Sequence, residues 1–170
     1  SKGEGLGNKF FANIREVDAI VHVVRAFDDE NVMREQGRQD AFVDPIADID
    51  TINLELILAD LESINKRYAR VEKMARTQKD KDSMAEFTVL EKIKPVLEDG
   101  KSARTVSFTD AEQTIVKQMF LLTTKPVLYV ANVDEDKVAN PDSIVYVQQI
   151  RDFAVTENAE VVVISARAEE

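Results

Sequence analysis

The stretch PVLYVANVDE, Pro126–Glu135, joins a short apolar run to polar side chains that follow it directly. The run itself, Pro126–Asn132, is apolar on both of its alternating faces. This pattern is typical of a strand that is covered on both sides, as in a parallel sheet. Two further runs have the same character: AIVHVVRAF, Ala19–Phe27, and EVVVIS, Glu160–Ser165. We therefore predict three strands of an α/β fold with a parallel sheet.

A helical pattern precedes each of the last two strands. TDAEQTIVKQMFLLTT begins at Thr109, with Glu112 at the spacing of a capping box. NPDSIVYVQQIRDFAVTEN begins with Asn140 as the N-cap and Pro141 at the first helical position. Strands and helices in this order predict a right-handed parallel α/β layer.

The connection between Phe27 and Val127 is far longer than an ordinary crossover needs. Asp44 and Pro45 start a long helix whose apolar residues have the spacing of a coiled-coil seam: Leu54, Ile57, Leu61, Ile64, Tyr68, Val71 and Ala75. After a polar turn, a second helix stops near Gly100 and presents a matching face: Phe87, Leu90, Ile93 and Leu97. We predict an antiparallel hairpin, with the seam packed internally or against a partner helix.

The chain has 170 residues, a formal net charge of −10 and no cysteine. Disulfides and cysteine-based metal sites are therefore excluded, and we expect a reducing, cytoplasmic setting. No apolar run approaches the roughly 20 residues that span a bilayer, so we expect no membrane partner. The net negative charge argues against phosphate contacts over the whole protein surface. We therefore expect no recognition of DNA sequence.

Two polar segments follow strands, and ligands of open α/β sheets bind at carboxyl strand ends. In VANVDE, Asn132 can brace a loop and Glu135 offers an acceptor-only carboxylate. The guanine-reading NKxD motif has this layout, but Val133 replaces its lysine and glutamate replaces its aspartate. In ISAR, Ser165 and Ala166 are small enough for backbone amides to approach a planar base. Either segment alone is also compatible with a simple turn.

Four stretches together resemble the YchF-type ATPases of the Obg-related P-loop family: GEGLGNKFFANIREVDAIVHVVRAF, VDPIADIDTINLELILADLE, PVLYVANVDE and VVVISARAEE. The resemblance covers essentially the whole chain, including the helical insertion. It implies a P-loop NTPase domain of Ras-like topology, followed in the family by a small TGS domain. It also implies binding and hydrolysis of ATP, or of GTP, with Mg²⁺, and ribosomes among the partners.

The resemblance assigns the base-binding residues. Asn132 and Glu135 match the NxxE motif that the family carries in place of NKxD. Val133 takes the position that flanks the base, and Ser165 and Ala166 match the final base-contacting loop.

The opening glycines Gly3, Gly5 and Gly7 lack the lysine and the following Ser or Thr of a Walker A loop. The resemblance places them just after the DxxG motif, in the switch that senses the γ-phosphate. Without the resemblance, the three glycines indicate a flexible turn.

Two motifs of the family are absent, namely Walker A and DxxG, which supply the phosphate cradle, the lysine and the Mg²⁺ ligands. We expect those groups outside this chain, which we interpret as an inactive fragment of a longer enzyme. Relatives often carry a histidine in the loop after the first strand, where this chain has Arg34. No catalytic residue is assigned.

Two other features could suggest chemistry. His22, the only histidine, lies within a strand and is interpreted as a core or edge residue rather than a catalytic one. The acidic trio 28–30 lacks metal-ligand spacing and is interpreted as a solvated loop, so no metal site is predicted.

A basic patch is predicted at the hairpin tip. Its candidate contacts to ribosomal RNA phosphate are Lys66, Arg67, Arg70, Lys73 and Arg76. A solvated coiled-coil surface is the alternative.

The sequence thus predicts three segments: a first part of a nucleotide-binding domain (1–43), a helical coiled-coil insertion (44–108) and a second part with the NxxE and SAR motifs (109–170). The predicted function is that of a ribosome-associated P-loop NTPase acting in translation or stress response. The alternative is a non-enzymatic helical module that docks on the ribosome or a protein.

Overall fold

A computed structural model of the chain describes residues 18–27, 43–78, 80–135 and 144–165. The elements in these ranges are, in chain order, β1 (Ile20–Arg25), α1 (Pro45–Gln78), α2 (Lys81–Glu98), a 3₁₀ turn (Ala103–Thr105), α3 (Asp110–Lys117), β2 (Val127–Asn132), α4 (Val145–Thr156) and β3 (Glu160–Ile164). They divide into two compact units. Residues 52–125 form the helical unit, and residues 19–51 and 126–165, where described, form the sheet unit.

The sheet unit contains the parallel sheet that the sequence predicts. Its described strands lie in the order β1-β2-β3, and both pairings are parallel. In the register, Val24 lies opposite Ala131, and Ala131 lies opposite Val163. All three strands therefore end at one edge of the sheet.

One face of this sheet is packed by the described helices, whereas on the other face the outer strands leave apolar side chains exposed and Val130 of the central strand is buried. Tyr129 and Ala131 of β2 belong to the same buried cluster as Val147 and Ile150 of α4 and Ile49 of α1. The predicted cover on both faces is wrong for the outer strands among the described residues. On β1 the opposite face leaves Val21 60% and Val23 57% exposed, and Val162 and Ile164 of β3 are exposed as well. Only one face receives apolar side chains from the described helices.

The helical unit contains the predicted hairpin. Tyr68 of α1 contacts Phe87 of α2, with the ring centroids 5.1 Å apart. Buried side chains of both helices share one core: Ile57, Ile64, Val71, Leu90, Ile93 and Leu97. Leu54, predicted in the seam, is instead 52% exposed. The seam of α1 therefore starts at Ile57 within this unit.

Helix α3 has the capping box that the sequence predicts. The Thr109 hydroxyl accepts from the Glu112 backbone N–H at 3.2 Å, and the Glu112 carboxylate accepts from the Thr109 N–H at 3.0 Å. The same carboxylate accepts from Lys92 of α2 at 2.8 Å, and Val116 is buried in the hairpin core. The ammonium of Lys92 is the main cause that lowers the pKa of Glu112.

Helix α3 packs in a different unit from the one that the sequence pattern predicts. The sequence pattern predicts this helix in the α/β layer, whereas its contacts put it in the helical unit. Contacts group residues 52–125 into the helical unit, and the insertion over residues 44–108 stays a prediction from the sequence. The difference arises because an amphipathic helix packs on whichever apolar surface completes its core, and its sequence does not name that surface.

A buried carboxylate secures the segment before β2. Asp60 of α1 is fully buried and accepts at 2.8 Å from the backbone N–H groups of both Leu122 and Thr123. It also accepts from the Thr123 hydroxyl at 2.7 Å, and that hydroxyl accepts from the Ala103 N–H at 2.9 Å. These hydrogen bonds offset the cost of burying a carboxylate.

Candidate functional site

The carboxyl edge of the sheet brings the two polar segments together. Asn132 lies opposite Arg25 of β1 on one side and Ile164 of β3 on the other. The ladder continues past the strands, since the Val133 N–H donates to the Ile164 carbonyl at 2.9 Å and the Ala26 N–H donates to the Asn132 carbonyl at 2.7 Å. The NxxE segment therefore runs beside the end of β3.

Two of the predicted base-binding side chains are accessible at this edge. Asn132 is half-buried and Glu135 is exposed. Arg25 is half-buried in register with Asn132, so both side chains project from the same face of the sheet. Arg25 is not among the residues that the sequence predicts for this edge. The signal available was that it is the one basic residue in an apolar strand, at its carboxyl end.

Ser165 follows β3 and carries a buried hydroxyl. Among the described residues, its oxygen has no hydrogen-bond partner. A buried polar atom without a partner is uncommon in proteins and requires an explanation such as a ligand or a bound water. Ala166 and the glycines Gly3, Gly5 and Gly7 lie outside the described residues. Asn140 and Pro141 also lie outside them. The N-cap of α4 is Ile144 and the helix begins at Val145, so the predicted N-cap Asn140 is wrong.

The side chain of Val133 is buried, unlike the side chains of Asn132 and Glu135. It is 2% exposed and belongs to the same buried cluster as Ala131 and Val147. The family resemblance predicts that this residue flanks a base. The structure places its side chain in the core, where it anchors the loop between Asn132 and Glu135.

His22 lies in the middle of β1, away from the carboxyl edge. Its ring is half-buried and 5.7 Å from the ring centroid of Tyr129, which lies opposite it in the register. Burial lowers the pKa of His22 below its ordinary value, while the negative charges of Asp48 and Glu157 oppose that change. These surroundings favour the interpretation as a core histidine.

The predicted basic patch lies on α1, and we call its five side chains the basic surface: Lys66, Arg67, Arg70, Lys73 and Arg76. Arg70 and Lys73 are exposed, and within the described residues neither forms an ion pair. They are therefore the members most open to an anionic partner.

The other three members have carboxylate partners. Arg67 is half-buried and pairs with Glu86 of α2 at 2.7 Å. Lys66 pairs with Glu62 at 3.3 Å, and Arg76 pairs with Glu72 at 2.9 Å. Those last two are i,i+4 pairs with exposed cations, which contribute little and exchange readily for another anion.

Two negative findings apply to the described ranges alone. No group of three or more His, Cys, Asp or Glu side chains in them is arranged to hold a metal ion. In the same ranges, every helix is too short or too polar to cross a bilayer.

Comparison with known proteins gives strong similarity along the chain. The chain is 57% identical over 169 residues to the Ribosome-binding ATPase YchF of Bacillus subtilis, a match that spans 99% of the chain and 45% of that protein. It is 46% identical over 169 residues to the protein of the same name from Haemophilus influenzae, with 99% of the chain and 44% of that protein covered. It is 42% identical to the Obg-like ATPase 1 of Oryza sativa subsp. indica over 133 residues, which cover 78% of the chain and 33% of that protein.

The fold comparison agrees. The structure of the Schizosaccharomyces pombe YchF GTPase matches with a TM-score of 0.80 and 30% identity, over 93% of this chain and 42% of that one. The chain thus spans less than half the length of these relatives. No protein-family model matches the chain.

Proposed function

We propose that this chain, which belongs to the YchF-type ATPase family over 99% of its length, forms the base-binding side of a nucleotide site and carries a hairpin that contacts the ribosome. The relatives are named ribosome-binding ATPases, and one solved relative is named a GTPase. The activity of the whole protein and its choice of nucleotide are part of this proposal.

The observation that carries the nucleotide site is the alignment of the two motifs at one sheet edge. The Val133 N–H donates to the Ile164 carbonyl at 2.9 Å, which fixes the NxxE segment beside Ser165. Carboxyl strand ends are where open α/β sheets bind ligands. Within the described ranges the buried hydroxyl of Ser165 has no hydrogen-bond partner, which supports a ligand contact at this edge.

The residue roles follow from chemistry and position. The exposed Glu135 carboxylate accepts hydrogen bonds from donors on the base edge. Asn132 braces the loop, and Val133 holds it to the core through its buried side chain. Ser165 and Ala166 offer small side chains and backbone amides to the base.

The groups that bind the phosphates are proposed to lie in other segments of the parent protein. When bound to the parent protein, Mg²⁺ would neutralise the charge that develops as water attacks the γ-phosphate of ATP or GTP. The described residues contain no group of side chains that could hold a metal ion, and the family resemblance implies that the Mg²⁺ ligands belong to the Walker A and DxxG segments outside this chain. Gly3, Gly5 and Gly7 remain proposed members of the switch that responds to the γ-phosphate.

The ribosome contact is proposed for the basic surface. Arg70 and Lys73 are exposed cations one helical turn apart. Neither forms an ion pair with a described residue, so no carboxylate has to be displaced before an anion binds. We therefore expect the basic surface to bind RNA phosphate, because lysine and arginine side chains neutralise phosphate charge. Arg67 contributes less, because Glu86 already holds its guanidinium.

Titration of the intact parent protein with ATP and with GTP tests the nucleotide site. Binding of either nucleotide, weakened by substitution of Glu135, supports the proposal. If neither nucleotide binds at physiological concentration while ribosome binding persists, the protein is a non-enzymatic docking module.

A further inference from the structure

The helical unit contains an open cleft between its three helices, which we call the hairpin cleft. Its volume is about 320 Å³. The lining side chains come from α1, α2, and α3 with its C-cap residue: Arg67, Asp82, Ala85, Glu86, Ile115 and Gln118. The nucleotide-binding edge lies in the sheet unit, so this cleft is a separate feature of the molecule.

The polar groups of the cleft retain hydrogen-bonding capacity. Glu86 Oε1 accepts from Arg67 Nη1 at 2.7 Å, which leaves the second carboxylate oxygen available. In the described part of the chain, the Asp82 carboxylate and the Gln118 side-chain amide make no hydrogen bond or ion pair. The cleft therefore offers both acceptors and donors to an incoming group.

The charges of the lining favour a cation. Two carboxylates, Asp82 and Glu86, face one guanidinium, Arg67. The ion pair with Glu86 satisfies that guanidinium, so the negative charge of Asp82 is left uncompensated by the other lining residues. An incoming ammonium or guanidinium meets complementary charge here, whereas a phosphate meets repulsion.

The apolar part of the lining suits the stem of a long basic side chain. Ala85 and Ile115 contribute hydrocarbon surface to the same cleft. Lysine and arginine bury their methylene stems on such surface while their charged ends reach polar groups. The Gln118 amide can donate and accept, which matches a peptide backbone.

We infer that the hairpin cleft binds a basic side chain from an extended segment of a protein partner, with Asp82 and the free oxygen of Glu86 holding the cation. The segment's backbone hydrogen-bonds with Gln118. This is a protein contact, and it does not depend on nucleotide binding. The cleft shares Arg67 with the basic surface, but the RNA contact is proposed mainly for Arg70 and Lys73.

The loop after α3 provides a second observation that fits a docking role. Phe120, two residues beyond Gln118, has a φ of 52° and is 62% exposed, although Met119 and Leu121 on either side are buried. A bulky residue in the left-handed region is strained, and such strain is concentrated at functional positions. Exposed aromatic side chains are common anchors of protein interfaces.

The test is a titration of the full chain with a capped AARAA peptide, followed through amide resonances in two-dimensional ¹H–¹⁵N NMR spectra. The matched probe is the same peptide with citrulline, which keeps the shape of arginine without its charge. The arginine peptide should shift the Gln118 side-chain and Ala85 backbone resonances, and the citrulline peptide should bind roughly threefold or more weakly.

Two variants separate the cleft from general electrostatics. D82N should weaken binding of the arginine peptide by roughly threefold, because it removes the uncompensated charge. E91Q changes the net charge equally, about two and a half helical turns further along α2 and so on its opposite face, and should leave binding unchanged. Similar spectra of both free variants and the original chain establish that the fold is retained.

Any of four results would overturn the inference. The first is equal binding of the arginine and citrulline peptides, and the second is equal loss of binding in D82N and E91Q. The third is absence of shifts at Gln118 and Ala85 with the arginine peptide at millimolar concentration. The fourth is shifts at these residues only with a uridine oligonucleotide, which would assign the cleft to RNA.

Discussion

Asp60 and Thr123 are joined twice: the Asp60 Oδ2 atom accepts from the backbone N–H of Thr123 at 2.8 Å and from its hydroxyl at 2.7 Å. Both residues are buried, and the same carboxylate also accepts from the Leu122 N–H. D60A removes an acceptor from three donors inside the protein. We expect it to lower the free energy of unfolding of the helical unit by about 3 kcal/mol, since buried donors without partners are costly.

Chemical denaturation followed by circular dichroism measures this effect. T123S keeps both the N–H and the hydroxyl, so it is the matched variant and should lose far less stability. A D60A protein as stable as T123S would show that the carboxylate does not secure this segment.

A second prediction concerns Glu135 and the base. E135Q replaces an exposed acceptor-only carboxylate with an amide, so it should leave stability unchanged and weaken nucleotide binding by the parent about tenfold. Isothermal titration with ATP and GTP provides the measurement. E160Q, at the opposite end of β3, makes the same charge change and should bind as the original protein does. Equal affinities of the two variants would remove Glu135 from the site.

A third prediction concerns the basic surface. Reversing the charges of Arg70 and Lys73 to glutamate should reduce ribosome co-sedimentation by roughly tenfold and lower the salt slope of binding by about two. The control reverses Lys101 and Lys117, two other exposed cations of the helical unit. If both double variants bind ribosomes alike, or if the salt slope is unchanged, the basic surface is not an RNA contact.

A fourth prediction concerns pH. Because burial holds the folded-state pKa of His22 below its ordinary value of 6.5, the unfolded chain takes up the proton first as pH falls. The stabilisation by neutral His22 is therefore complete above pH 6.5 and declines below it. The H22Q variant should lose less unfolding free energy than the original chain between pH 7.5 and pH 5.5.

The chain has one histidine, so its NMR titration reports His22 without ambiguity. Three neighbours set its surroundings: Asp48, Tyr129 and Glu157. A measured pKa at or above 6.5 in the folded chain would contradict the assigned effect of burial.

A fifth prediction concerns self-association. Val21 and Val23 expose apolar surface on an outer strand of the described sheet, an arrangement that favours pairing with another copy. The isolated 170-residue chain should form larger species as its concentration rises, as measured by sedimentation velocity. Changing both valines to threonine should reduce this association, while V155T, which alters an exposed valine on α4, should not. A monomer at every concentration would refute the prediction.

Much of the fold could be read from local patterns. The three strands, the start of α1 at Pro45 and the end of α2 near Gly100 were predictable, because alternation, capping and turn residues act over a few positions. The capping box at Thr109 was predictable for the same reason. The surface on which α3 packs was not, since an amphipathic helix fits either layer.

In the candidate site, too, some features were predictable from local sequence and others depended on packing. The positions of Asn132, Glu135 and Ser165 at strand ends follow from the sequence. Their alignment at one edge depends on strand register, which hydrogen bonds between distant segments determine. The burial of Val133 and the alignment of Arg25 with Asn132 likewise depend on neighbouring strands.

The sequence by itself thus determined the element types, the hairpin and the motifs that carry the family resemblance, because these are set by residues close together in the chain. Only the tertiary structure decided that Asp60 would be buried against Thr123, that Arg67 would pair with Glu86, and that three helices would line an open cleft. Each depends on side chains far apart in sequence, and such contacts form only when the whole core is packed.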